Sequence, residues 1–158
     1  MYVKDYDIIM KITSIMQKLG VHVGYYVRGS VTILSIRKKD LVLTMSRLAE
    51  KILNGNLSDL SRDCIIGVVE ELIDSDGNIE KRRREYICIA ISSTNERVRD
   101  FLLKICIVLG LKCGCYVDLR PSRSPRYRVH IFNGLEIFSR SCKVRRFLRD
   151  NVLGAQSS

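Results

Sequence analysis

Leu19-Gly20-Val21-His22-Val23-Gly24-Tyr25-Tyr26-Val27 recurs with the same L-G-x-x-x-G-x-Y-V spacing as Leu109-Gly110-Leu111-Lys112-Cys113-Gly114-Cys115-Tyr116-Val117. Gly20 and Gly110 stand 90 positions apart. At the same offset, Ile8, Ile12 and Ile15 fall on Val98, Leu102 and Ile105. Past the repeated string, the longer basic loop Arg120-Pro121-Ser122-Arg123-Ser124-Pro125 moves the offset to about 95. A repeat of this kind means two copies of one supersecondary unit, and the local signals say which one.

In the first copy, Ile8, Ile9, Ile12, Ile15, Met16 and Leu19 have helical spacing over Asp5 to Leu19, ended by Gly20. Val21 to Val27 and Val31 to Ile36 read as strands around the turn Arg28-Gly29-Ser30. Asp40 caps a helix to Leu53 with Leu41, Met45, Leu48 and Ile52 on one face, ended by Asn54-Gly55-Asn56. The second copy is preceded by elements that the first lacks. These are a helix from Leu57 or Ser61 to Ser75, a turn at Asp76-Gly77-Asn78, and a hairpin of Ile79 to Arg84 and Tyr86 to Ser92. A helix capped by Thr94 or Asn95 then runs to Leu109. Strands follow at Leu111 to Leu119 and Arg126 to Phe132, and a last helix from Gly134 to about Asn151. The organisation is a partial unit at 1–56, a full unit at 57–153 and a frayed tail at 154–158.

The 27 Lys and Arg against 17 Asp and Glu give a net charge of +10, which points to phosphate-bearing partners. Ten basic residues against Asp118 and Glu136 give +8 between Leu111 and Arg149, whereas Ser61 to Gly77 carries −4. Acidic residues set in a basic chain suit a metal site on a polyanion binder. The six cysteines form no CxxC pair and only two His are present, which argues against zinc and for free, buried thiols in a reducing cytosol. No apolar run reaches the ~18 residues of a membrane span, and the N-terminus lacks the pattern of a signal peptide. The expected location is cytoplasmic, with no membrane contact.

Val69-Glu70-Glu71-Leu72-Ile73-Asp74-Ser75-Asp76-Gly77 is similar to the signature of LAGLIDADG homing endonucleases; its last six residues differ from that signature only at Ser75. The element order from Ser61 to Asn151 resembles the family repeat, and 1–56 resembles the last four elements of another. The resemblance implies an α+β fold with helices over a curved antiparallel DNA-binding sheet. It also implies site-specific, Mg²⁺-dependent hydrolysis of double-stranded DNA by an intron- or intein-associated enzyme. By resemblance Asp76 is the divalent-metal ligand and catalytic carboxylate, its backbone turned by Gly77. Asp74 is a second metal candidate that also suits a capping or orienting role. Lys143 is the candidate for the basic residue that the family places near the active site, with Arg145 next. A calcium loop of the EF-hand type is excluded, because Leu72 and Arg83 would have to be ligands.

Strand alternation places Leu111, Cys113, Cys115 and Val117 against helices. Lys112, Gly114, Tyr116, Asp118 and Arg120 then fall on the other face. Arg126, Arg128 and His130 join them from the next strand, and Tyr86 and Ser92 from the hairpin. Such a face suits major-groove readout, with Arg82, Arg83, Arg84 and Arg123 as loop contacts to phosphate. Two departures from the family stand out. Glu70 and Glu71 replace small residues, and Glu71 shares a stripe with Gly67 and Ser75, where a buried carboxylate is costly unless paired. Second, the chain holds one acidic signature. Cutting both strands then calls for a homodimer paired through the helix at 61–75 or for a complementing peptide. The other readings are a non-cleaving DNA-binding regulator, an RNA-binding splicing helper on the same scaffold, and a structural partner in a complex.

Overall fold

The computed structural model describes residues 6–29, 31–81, 86–121 and 124–155. The order of elements is α1 (Tyr6–Lys18), β1 (Val23–Arg28), β2 (Val31–Ile36), α2 (Lys39–Asn54), α3 (Arg62–Asp76), β3 (Gly77–Lys81), β4 (Ile87–Ser93), α4 (Glu96–Val108), β5 (Lys112–Asp118), β6 (Arg126–Phe132) and α5 (Cys142–Ala155). The chain divides into two compact units, Met1–Lys51 and Ile52–Ser158.

The two copies of the repeated string have matching backbone features. The helices α1 and α4 are both 13 residues long and start 90 positions apart. Each ends on a glycine with φ of +64° or +67°, a left-handed conformation that only glycine adopts cheaply. The next residue closes both caps identically: Val21 N–H donates to Met16 O and Leu111 N–H to Cys106 O, each at 2.8 Å. In the first unit Gly24 lies opposite Ser35, and in the second Gly114 lies opposite His130. The offsets are thus 90 in the first strand of each pair and 95 in the second, so the added loop lengthens the turn without slipping the register.

In the first unit β1 and β2 pair antiparallel, and Met16, Val21 and Val23 form a small core with Ile12, Leu34, Ile36 and Leu41. The apolar face expected of α2 is only partly used. None of its residues is fully buried, and Met45 and Leu48 are exposed.

The second unit is an antiparallel sheet in the order β3-β4-β6-β5. Ile79, Ile89, Ile91, Val129 and Ile131, alternating along three strands, meet Ile65, Val69 and Ile73 of α3 and Phe101, Leu102 and Ile105 of α4 in one core. Ser61 starts α3 by accepting from Cys64 N–H at 3.2 Å. Asn95, not Thr94, caps α4 through Arg97 N–H. At β5 the alternation expected from sequence fails beyond Cys113: Cys115 and Val117 are exposed. This strand is the sheet's edge, and only Leu111 and Cys113 at its start pack onto the core.

The last helix also departs from expectation. Gly134 to Arg140 forms turns, and α5 begins only at Cys142. Asn133, with φ of 58°, reverses the chain after β6. Phe138 N–H bonds back to Gly134 O at 3.0 Å, sinking the Phe138 ring into the core. Ser141 then opens the helix by accepting from Val144 N–H at 3.3 Å. The far end of α5 takes in Gly154 and Ala155, assigned above to the tail, while 156–158 lie outside the described residues. No helix among the described residues is long and apolar enough to cross a membrane.

Candidate metal and nucleic-acid site

The site is built where α3 stops. Gly77 N–H donates to the carbonyls of Leu72 and Ile73, and β3 begins at once, with no intervening turn. Gly77 has φ of −81°, so the left-handed region is not what requires glycine here. Space is: a Cβ at this position would lie 2.6 Å from the Ile73 Cα and carbonyl oxygen. This tight exit leaves the exposed Asp76 carboxylate at the helix tip, where Ser75 Oγ lies 3.4 Å from its Oδ2.

Lys143 reaches the same tip from α5. Its Nζ donates to Gly77 O at 2.8 Å and Ser75 O at 3.4 Å, the carbonyls on either side of Asp76. An ammonium there balances the carboxylate and the negative end of the helix dipole. Asp76 lines a cleft of about 470 Å³ with Ser92, Ser93, Thr94, Asp118, Arg120, Ser124 and Arg126. Arg120 Nη2 is 2.8 Å from Asp118 Oδ2 across the rim.

Asp74 is placed apart from this cleft. It is 4% exposed, its Oδ1 accepts from Ser141 Oγ at 2.6 Å and Lys143 N–H at 3.2 Å, and its Oδ2 accepts from Cys142 N–H at 3.1 Å. Both oxygens accept bonds from the start of α5, so Asp74 anchors that helix. The buried glutamate of α3 is Glu70, whereas Glu71, expected in the seam, is exposed. Glu70 accepts from Arg140 N–H at 2.8 Å and Arg140 Nε at 3.0 Å, which offsets the cost of burying its charge.

The open sheet face carries most of the remaining candidates. Lys112, Tyr116 and Arg126 are exposed there, and Tyr86 is exposed just before β4. Register sets Arg128 between Tyr116 and Ser92, and Asp118 beside Arg126. Arg128 donates through Nη2 to Glu80. His130, only 8% exposed, has its Nε2 4.0 Å from the other Glu80 oxygen. Glu80 was not among the expected site residues, although its position next to Ile79 in a strand puts it on this face. Arg82, Arg83, Arg84 and Arg123 lie outside the described residues.

Solved structures of the homing endonuclease I-DmoI share this arrangement of elements. One, of mesophilic variants, matches with a TM-score of 0.59 at 15% identity, over 81% of this chain and 69% of that one. The chain has the LAGLIDADG homing-endonuclease fold. A LAGLIDADG structure of I-DmoI with DNA and Mn matches at 0.56 and 15% identity, over 81% of this chain and 66% of the other. The complex with DNA and Ca matches at 0.55 and 15%, over 76% and 58%. The chain thus spans about three-fifths to two-thirds of these LAGLIDADG structures. No family model matches the sequence, and no curated protein does.

A divalent cation fits the donor set only in part. Among the described residues no three His, Cys, Asp or Glu side chains converge on one point. Mg²⁺ does not ask for that: it binds through one or two carboxylates plus substrate phosphates and keeps several waters. Asp76 and a cleft lined with hydroxyls and arginines suit such a site.

Proposed function

We propose that this chain is a DNA endonuclease of the homing type, which hydrolyses phosphodiester bonds of double-stranded DNA with a divalent metal. One observation carries the reading: an exposed carboxylate at a helix tip shares a cleft with Arg120 and Arg126, at the edge of a basic sheet face. Asp76 would hold the cation, Mg²⁺ or another divalent ion. When bound, that ion supplies Lewis acidity to the phosphate and lowers the pKa of a coordinated water. Arg120 and Arg126 hold the phosphate over the cleft. Lys143 keeps a positive charge beside Asp76, where it stabilises the charge that develops as the bond breaks. Lys112, Tyr86, Tyr116, Arg128 and His130 face the base edges, and Arg82, Arg83, Arg84 and Arg123 contact the flanking phosphates.

Cutting both strands calls for two carboxylates of this kind, and we assign the second to another polypeptide docked on α3, either a second copy or a complementing peptide. The stripe Cys64, Glu71 and Ser75 is exposed, and a Cβ on Gly67 in the same stripe would meet nothing within 4 Å.

A duplex library with randomised sites, incubated with the protein and Mg²⁺ or Mn²⁺, tests the reading. Cut ends sharing one sequence, abolished by EDTA, are the expected result. Binding without cutting points instead to a DNA-binding regulator, and tighter binding to RNA than to duplex DNA to a splicing helper.

A further inference from the structure

On the open sheet face, Glu80 stands opposite Cys88, while Arg128 stands opposite Ser92, two rows further along. The ion pair between them therefore crosses β4 at Ala90, which the register places between Asn78 and His130. Ala90 is 2% exposed, and its short side chain leaves room for the crossing. Arg128 Nε is buried without a hydrogen-bond partner, so Nη2 alone ties the guanidinium to Glu80. His130 Nε2 lies 4.0 Å from the second Glu80 oxygen.

We propose that Glu80 is a specificity-determining residue that acts by positioning Arg128 to read a guanine. The inference rests on the sheet face being the duplex-binding surface. A strand arginine facing solvent has many rotamers and grips phosphate in most of them. Here a carboxylate fixes the guanidinium across Ala90 and cancels much of its charge. The Glu80 contact uses Nη2 alone and leaves Nη1 and the remaining hydrogen of Nη2 as directional donors, and two such donors match guanine O6 and N7 in the major groove. Glu80 thus turns a non-selective phosphate contact into a base contact.

The test is selection of the full chain on a randomised duplex library in EDTA, with affinities measured over a series of salt concentrations. The wild type should prefer guanine at one position by on the order of tenfold. Glu80→Gln keeps the shape and removes the charge. It should lose that preference and steepen the salt dependence by roughly 0.9 in slope, the value for one added phosphate contact. Arg128→Lys, which keeps a charge but not the fork, should lose the same preference without the steeper slope. A Glu80→Gln protein with unchanged guanine preference and slope overturns the proposal, as does a wild type that binds duplex with no guanine preference that Arg128→Lys removes. In both cases the duplex-binding reading stands. Absence of duplex binding by the wild type overturns both.

Discussion

Ser141 Oγ donates to Asp74 Oδ1 at 2.6 Å, a bond across 67 residues that decides where α5 begins. Ser141 accepts from Val144 N–H while Asp74 takes the N–H groups of Cys142 and Lys143. Two side chains thus share the orphan donors of the helix's first turn. Asp74→Asn puts an amide where an acceptor is needed. It should cost about 2–4 kcal/mol in denaturant unfolding. The first turn of α5 should lose hydrogen-exchange protection. Since Lys143 sits in that turn, cutting should fall as well.

Glu70 and Arg140 form an unequal pair. Glu70 is 3% exposed, while the Arg140 side chain is 62% exposed. Arg140→Ala removes one hydrogen bond but leaves the backbone N–H of residue 140 on Oε1. Its cost should be about 1 kcal/mol. Glu70→Ala abandons both contacts and leaves a cavity, and should cost about 3 kcal/mol. A double-mutant cycle read by urea unfolding checks the asymmetry. Equal costs would contradict it.

Two glycines of one helical segment should respond in opposite directions. Gly77→Ala drives a methyl into the Ile73 backbone and should destabilise by about 3 kcal/mol or more. Gly67→Ala, inside α3 with open space around it, should stabilise the monomer by about 0.5–1 kcal/mol through helix propensity. Thermal unfolding of the two variants distinguishes a spatial requirement from a conformational one.

The cysteines should react in order of exposure. Cys64 and Cys115 are exposed, while Cys88, Cys106 and Cys142 are buried. Burial, with the neighbouring Cys113 adding to it, pushes the Cys106 thiol up from 9.0 to about 12. In the unfolded chain that thiol ionises near 9, so folding keeps it neutral where the unfolded state would lose a proton. Its contribution to stability is intact below pH 9 and is lost as pH rises from there toward 12. Aromatic disulfide reagent on the native protein at pH 8 should label Cys64 and Cys115 first and spare Cys106 until denaturant is added.

Much of this fold was written in local signals. Gly20 and Gly110 marked the ends of equivalent helices, and the 90 and 95 offsets predicted a register that the strand pairs keep. The signature string located the helix tip and Asp76. What local pattern did not reveal depended on distant partners. Gly134 to Arg140 carries Leu135, Ile137 and Phe138 at a helix-compatible spacing, but the helix starts where Asp74 can cap it. Which of Glu70 and Glu71 is buried followed from the position of Arg140, some 70 residues on. Val117 and Cys115 alternate correctly, yet an edge strand offers them nothing to pack on. Glu80 sits at a legible position on the sheet face, but an acid in a basic surface signals nothing until Arg128 is seen to reach it.

We assign Asp76 as the metal-holding carboxylate of a duplex-cutting site. The most direct test compares wild type and Asp76→Asn on the DNA site recovered from the library, with Mg²⁺ for cutting and EDTA for binding. Loss of cutting by at least about 10³-fold, with duplex affinity within about threefold of wild type, is the predicted result. An Asp76→Asn protein that cuts at the wild-type rate would contradict the account.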